Sequence, residues 1–162
     1  AIRIDRNRMN RYCRTVDPKF LEGVNRKKPR TMEELEDLWY QTQNADGNRY
    51  THYNSSRYRV CNLHSFFHGH HTIEFRLFQF DCPHDGKQNG MHAGQVKSFI
   101  QLCLAINQLA KMVRTASPKP QQTENEKYAM RCWMLRLGFI GDEFKTAREY
   151  YLNNMEGNSA WR

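Results

Sequence analysis

Apolar residues recur at helical spacing in four segments of this chain. Over residues 31–41 they return every three or four positions, and Thr31 with Glu34 forms the capping-box pattern that often begins a helix. The same spacing continues in three segments towards the C-terminus. We therefore predict helices over residues 31–41, 93–115, 124–137 and 142–153. Asp17-Pro18 and residues 25–29 are turn-like and predict breaks before the first of these helices.

Between the first two predicted helices the spacing changes to period two, which is typical of β-strands. Residues 71–80 alternate branched and aromatic side chains with others, and residues 57–66 are also strand-like. The short segment between them suits a tight connection, so we predict an antiparallel hairpin. The expected fold class is α+β, with a small antiparallel sheet that includes the 57–80 hairpin and is packed by helices on one face.

Length and composition fit one domain. With 162 residues, of which 39% are hydrophobic, the chain can bury a core of its own. We divide this single domain, 1–162, into a basic segment 1–30, a hairpin core 57–80 and a helical part 93–155. Because no apolar run reaches the length of a membrane span and no signal-peptide pattern opens the chain, we expect a cytoplasmic protein without membrane contacts.

The formal charge of +8 is concentrated near the N-terminus. Residues 1–30 contain ten basic and three acidic residues, a balance of +7. This charge forms either a solvated basic face or a surface that attracts phosphates. The second possibility predicts a basic binding protein, encoded by a phage or another mobile element, that grips DNA or RNA or inhibits a nucleic-acid-handling host defence protein such as a nuclease. Its candidate contacts are Arg3, Arg6, Arg8, Arg11, Arg14, Arg26, Lys27, Lys28 and Arg30.

Glu74 and Arg76 lie two positions apart on an otherwise apolar predicted strand, so they share one face. They form either a surface salt bridge, worth roughly 0–1 kcal/mol, or a site for metal-assisted phosphate chemistry. Arg59 could share that face across the hairpin. Asn62 differs from Arg59 by an odd number of positions, so alternation turns it to the opposite face unless a bulge or a strand end lies between them.

Histidines cluster in residues 64–92, but the pattern does not predict a zinc site. Zinc needs three or four convergent ligands, and histidines at hairpin turns are more often exposed. The five cysteines are scattered without a Cys-x-x-Cys pair, so we predict neither a disulfide framework nor structural zinc. The histidines concerned are His64, His68, His70, His71, His84 and His92, with Cys82 near His84.

Two short motifs, Arg57–Ser65 and His71–Arg76, resemble the paired motif of the amidoligase family. Its members are glutamine-synthetase-like carboxylate–amine ligases found often in bacteria, phages and mobile elements. The helix before the hairpin, the long helix after it and the closing segment 155–162 also fit that family. The resemblance corresponds to the C-terminal part of the family's pattern.

The resemblance implies an ATP- and Mg²⁺-dependent reaction between a small carboxylate and an amine. ATP phosphorylates the carboxylate, and the amine then displaces phosphate to form an amide. By resemblance, Glu74 is a magnesium ligand, Arg76 holds the transferred phosphoryl group or the substrate carboxylate, and Arg59 assists catalysis. Arg59, Asn62 and Arg76 are the residues expected to contact the nucleotide.

Two further family motifs are not recognisable in this chain. The family opens with a Gly-x-Glu-x-Glu strand and later has a His-x-His strand, whereas His68-Gly69-His70 lies inside the predicted hairpin. One carboxylate is a poor site for the metal of ATP chemistry. We therefore expect the chain to be inactive alone, either as a fragment of a larger enzyme or as a ligase-like half that has lost catalysis.

Overall fold

The computed structural model contains seven α-helices and one two-stranded antiparallel sheet in the residues that it describes. Contacts divide the chain into two compact units. The first unit consists mainly of Asp5–Leu77, and the second consists mainly of Phe78–Ala116 and Pro120–Arg162. The described residues are 4–43, 48–80, 92–119, 121–153 and 155–160.

The first unit begins with three helices whose starts are fixed by side-chain caps. Asp5 and Asp17 accept hydrogen bonds from backbone N–H groups of the helices that follow them. Thr31 does the same, since its Oγ1 accepts from the Glu34 N–H at 3.2 Å, while the Glu34 carboxylate reaches back to the Arg30 N–H at 2.7 Å. The helices are α1 Arg6–Tyr12, α2 Pro18–Lys27 and α3 Met32–Thr42.

The helix predicted over residues 31–41 is thus confirmed as α3, and α2 was not predicted. A small apolar core holds these two helices together, with Phe20 packed edge-on against Trp39 at 5.1 Å between ring centroids. Gly23 allows the close approach, because a Cβ there would lie 2.7 Å from a methyl group of Leu38. The apolar face of α2 is therefore turned towards α3.

The predicted hairpin is confirmed only as a short antiparallel pairing. Strand β1 is Cys61–Asn62 and strand β2 is Glu74–Phe75, with Asn62 opposite Glu74. The longer strands 57–66 and 71–80 were wrong, since helix α4, His64–His68, follows β1 directly. Asn62 Oδ1 accepts a hydrogen bond from the Ser65 N–H at 3.3 Å, and this local bond competes with extension of the strand. The fold is consequently mostly helical rather than a sheet packed by helices.

The second unit contains three helices around an aromatic core. They are α5 Ala93–Met112, α6 Glu126–Arg136 and α7 Lys145–Asn153. These confirm the three helices predicted in this half, although α7 is preceded by a 3₁₀ turn over Asp142–Phe144. Gly138, with φ of 81°, follows α6 in the left-handed conformation that glycine adopts easily. In the described part of the chain, no helix is long and apolar enough to span a membrane.

Candidate functional site

Glu74, Asn62 and Arg76 come together on the short sheet. The Asn62 side-chain amide donates a hydrogen bond to Glu74 Oε2 at 2.7 Å, and Arg76 Nη1 lies 3.7 Å from the same oxygen. Asn62 is buried, whereas the Glu74 side chain is 45% exposed. The buried amide therefore orients a carboxylate whose other oxygen, Oε1, has no hydrogen-bond partner among the described residues.

Arg76 is held more firmly than the carboxylate it faces. Its side chain is only 16% exposed, and its guanidinium carbon lies 5.2 Å from the centre of the Tyr58 ring. Its backbone N–H donates to the Val60 carbonyl at 2.9 Å, which extends the pairing of the two strands. Arg76 thus presents a fixed positive charge beside Glu74.

Arg59 lies apart from this cluster. It is buried, and it donates from Nη1 to the Thr15 carbonyl at 3.0 Å and from Nη2 to the Gln43 carbonyl at 2.7 Å. Burial, followed by the charge of Arg14, lowers its pKa from the ordinary value, although an arginine stays charged. Arg59 therefore connects two backbone segments through hydrogen bonds and does not lie beside Glu74.

Asn62 and Glu74 line a pocket of about 490 Å³. The guanidinium in its wall belongs to Arg57, which donates to the His52 carbonyl at 2.8 Å. Arg76 is not among the lining residues. The described residues that line it are His52, Arg57, Asn62, His64, Ser65, His68, Gly69, His70, Thr72 and Glu74. The sequence prediction missed Arg57, although this residue begins the first of the two motifs.

His64 is a neutral, buried part of this wall. Its Nδ1 lies 2.5 Å from the Tyr40 hydroxyl. Burial, together with the neighbouring His68 ring, lowers the pKa of His64, while a hydrogen bond to the Thr51 backbone opposes that shift. Burial and the Glu36 carboxylate raise the pKa of Tyr40, so its hydroxyl stays protonated and can donate to Nδ1. Hydrogen bonds to the Tyr40 hydroxyl and to the Thr51 backbone therefore hold the His64 ring in place.

His68 is anchored by a carboxylate from α3. Its Nε2 lies 2.8 Å from Glu36 Oε1, and Arg49 Nη1 donates to the same oxygen at 3.3 Å. Arg49 Nη1 also lies 2.6 Å from Asp37 Oδ1. Glu36 is 32 positions away from His68 in the sequence, so no local pattern could have revealed this pair. It joins α3 to the pocket and holds the ring of His68 in a defined orientation.

The described residues do not form a ready metal site. Among them, no group of three or more His, Cys, Asp and Glu side chains could hold a metal ion. Glu74 supplies one carboxylate, and the Asn62 amide oxygen is already used by the Ser65 N–H. Such a donor set fits Mg²⁺ only if most ligands come from phosphate oxygens and water, which is how Mg²⁺ commonly binds with nucleotides. Cys82 and His84 lie outside the described residues.

The basic residues of segment 1–30 are mostly exposed. Arg6, Arg11 and Arg14 lie in or just after α1 with exposed side chains, whereas Arg8 is half-buried. Arg3 lies outside the described residues. The remaining candidates, at the end of α2 and just beyond it, are all exposed: Arg26, Lys27, Lys28 and Arg30.

Comparison with known proteins identifies one family. No curated protein and no solved structure matches the chain. A family described as "Putative amidoligase enzyme" matches residues 1–107, a range that includes Arg57, Asn62, Glu74 and Arg76. The closing segment 155–162, which we also predict from its sequence to fit this family, lies beyond the match. Since the match covers well over half of the 162 residues, the chain belongs to the amidoligase family.

Proposed function

We propose that the pocket is one part of an ATP-dependent carboxylate–amine ligation site. The observation that carries this proposal is the cluster in which buried Asn62 orients Glu74 beside the fixed charge of Arg76. Family membership supports the reaction class. In that reaction a carboxylate oxygen attacks the γ-phosphorus of ATP with release of ADP. The amine nitrogen then attacks the acyl phosphate carbon, phosphate leaves, and the amine loses a proton.

Glu74 is the proposed ligand for nucleotide-bound Mg²⁺. The unpartnered Oε1 can serve as a ligand while Asn62 keeps Oε2 in place. When bound, the metal would neutralise phosphate charge, as divalent ions do in phosphoryl transfer. Because one carboxylate gives little affinity for a bare ion, we expect Mg²⁺ to bind with ATP and not alone.

Two arginines are suited to hold anionic oxygens at this site. Arg57 lines the pocket with one nitrogen held by the His52 carbonyl, which leaves further N–H donors on its guanidinium. Arg76 approaches Glu74 from beside the pocket, and its attraction to Glu74 weakens once a cation shares that carboxylate. Each arginine is already held by neighbours, so less side-chain entropy is lost when an anion binds.

We propose that the chain binds nucleotide but does not turn it over alone. The two carboxylate- and histidine-containing motifs that complete such sites are not recognisable in its sequence. With one carboxylate facing the pocket, the second metal ligand and the groups that hold the attacking amine would come from elsewhere. Arg59 has a supporting role in this proposal, because it ties Thr15 and Gln43 rather than facing the pocket.

Calorimetric titration of Mg²⁺-ATP into the purified chain tests the proposal. Glu74→Gln removes the charge but keeps the shape and the contact with Asn62, and it should weaken binding by at least about tenfold. Glu33→Gln makes the same charge change at an exposed position at the start of α3 and should bind like the wild type. Equal binding by the wild type and Glu74→Gln, or no binding by the wild type, would overturn the proposal.

A further inference from the structure

Five basic side chains on α2 and just after it have no partners in the described part of the chain. They are exposed, and they make no ion pair or side-chain hydrogen bond there. We call Lys19, Arg26, Lys27, Lys28 and Arg30 the α2 basic patch. Three other cations of the first unit differ: Arg49 binds two carboxylates, and Arg57 and Arg59 bind carbonyls. The patch is therefore positive charge that the fold itself leaves uncompensated.

Two acidic groups of α3, Glu34 and Asp37, already have partners of their own. Glu34 accepts from the Arg30 backbone N–H, and Asp37 pairs with Arg49. A groove of about 460 Å³ along α2 and α3 is lined by Lys19, Arg26 and Lys27, and Glu22 is the one acidic residue among the described residues that line it. The groove thus keeps an excess of positive charge and favours an anionic partner.

The fold fixes this patch on the outer side of α2. Phe20 and Gly23 pack inward against α3, so the polar side of the helix faces away from it. Lys28 follows α2 with φ of 49°, in the left-handed conformation where glycine is usually preferred. A lysine at this position carries backbone strain, which proteins often retain where the side chain has a role.

We infer that the α2 basic patch binds the phosphate backbone of nucleic acid without reading its sequence. Several clustered cations are what a regularly spaced row of phosphates requires. The one aromatic residue of α2, Phe20, is buried, so the helix offers no ring on which bases could stack. A membrane surface suits the patch less well, because Phe20 and Val24 of α2 pack in the core with α3 and leave Leu21 as the exposed large apolar side chain of this helix.

Fluorescence anisotropy with short labelled DNA duplexes of two unrelated sequences tests this inference over a series of salt concentrations. Both duplexes should bind equally, and the logarithm of the affinity should fall with the logarithm of salt with a slope of about −4. Replacing Arg26, Lys27, Lys28 and Arg30 by glutamine should reduce the slope by about one for each cation that contacts phosphate.

A second quadruple variant distinguishes an effect of the α2 basic patch from an effect of net charge alone. Lys111, Arg114, Lys119 and Lys145 are also exposed, and changing them to glutamine makes the same change in charge. This control should keep the wild-type slope. Equal losses in both variants, tighter binding to vesicles containing anionic lipid than to DNA, or no salt-dependent binding would each overturn the inference. Glu74→Gln should bind DNA like the wild type, so this test is independent of the ligase site.

Discussion

The two units of this protein are stabilised by different kinds of interior. The second unit buries mainly apolar and aromatic side chains, and Gln95 and Ser98 are its buried polar residues among those described. The buried apolar and aromatic residues are Phe99, Leu102, Met134, Leu137, Phe139, Ala147 and Tyr151. The first unit has a smaller apolar core of Phe20, Leu38 and Trp39. It also buries polar or charged side chains, namely Gln43, Asn54, Ser56, Arg59, Asn62 and His64.

The difference between the two interiors indicates which unit holds its side chains in defined orientations. Apolar packing is non-directional, and cores tolerate many substitutions that keep their volume. Buried polar groups must instead meet particular partners, because burying them without a hydrogen bond is costly. Asn62 donates to Glu74, and His64 is hydrogen-bonded to Tyr40. The first unit therefore orients the side chains of the pocket by hydrogen bonds, and it has the smaller apolar core.

The largest effect should come from the aromatic core of the second unit. Phe99 is 2% exposed and stacks on Phe78 at 4.3 Å between ring centroids. Phe99→Ala should lower the free energy of unfolding by about 3–5 kcal/mol, measured by urea denaturation. Ile100, the next residue of α5, is 55% exposed, and Ile100→Ala should cost much less. Equal losses in the two variants would contradict the assignment of this core.

Arg59→Met should have the largest effect in the first unit. It keeps the apolar stem but leaves the Thr15 and Gln43 carbonyls without their donor, which should cost about 2–3 kcal/mol. Arg26→Met, at an exposed position, should change stability by no more than about 0.5 kcal/mol in the same urea experiment. If Arg59→Met were equally mild, the polar interior would not carry the stability that we assign to it.

His64 should make the stability of the protein depend on pH. Burial lowers its pKa in the folded state, so the unfolded chain binds the proton more tightly. Stability should therefore fall as pH decreases below about 6.5, the ordinary histidine value, and recover as pH rises. His64→Gln should flatten the change in melting temperature between about pH 7 and pH 5. An unchanged slope in the variant would show that His64 is not the group responsible.

The smallest effect should come from a surface ion pair of the second unit. Lys97 lies 3.0 Å from Glu143, but the two side chains are 52% and 64% exposed. Water and salt weaken such pairs, so Lys97→Gln should change the free energy of unfolding by no more than about 0.5 kcal/mol. A loss as large as that of Arg59→Met would remove the distinction between exposed and buried charges on which the comparison rests.

The helices of this protein were predictable because their signals are local. Thr31 with Glu34 marked the start of α3, and periodic apolar residues marked α5, α6 and α7. Helix α2 was missed because Asp17-Pro18 was interpreted as a break. An aspartate cap followed by proline in the first turn also begins helices, and the structure uses it so. The strand length was overestimated because Asn62 accepts a hydrogen bond from the Ser65 N–H and α4 begins at His64.

The candidate site was predictable only in part. The period-two spacing placed Glu74 beside Arg76, and the structure keeps this pair. The register that brings Asn62 and not Arg59 to Glu74 depends on strand pairing, which alternation alone could not fix. Glu36 reaches His68 from a distant helix, so that contact depends on tertiary packing and leaves no local signal.

The dependence of ATP affinity on magnesium, compared between the wild type and Glu74→Gln, tests the proposed ligase site most directly. If Glu74 is a ligand of nucleotide-bound Mg²⁺, the metal should strengthen ATP binding by at least about tenfold more in the wild type than in the variant. Without metal, the variant should bind ATP slightly more tightly, because a negative charge near the phosphates is gone. The same gain from magnesium in both proteins would contradict the role of Glu74.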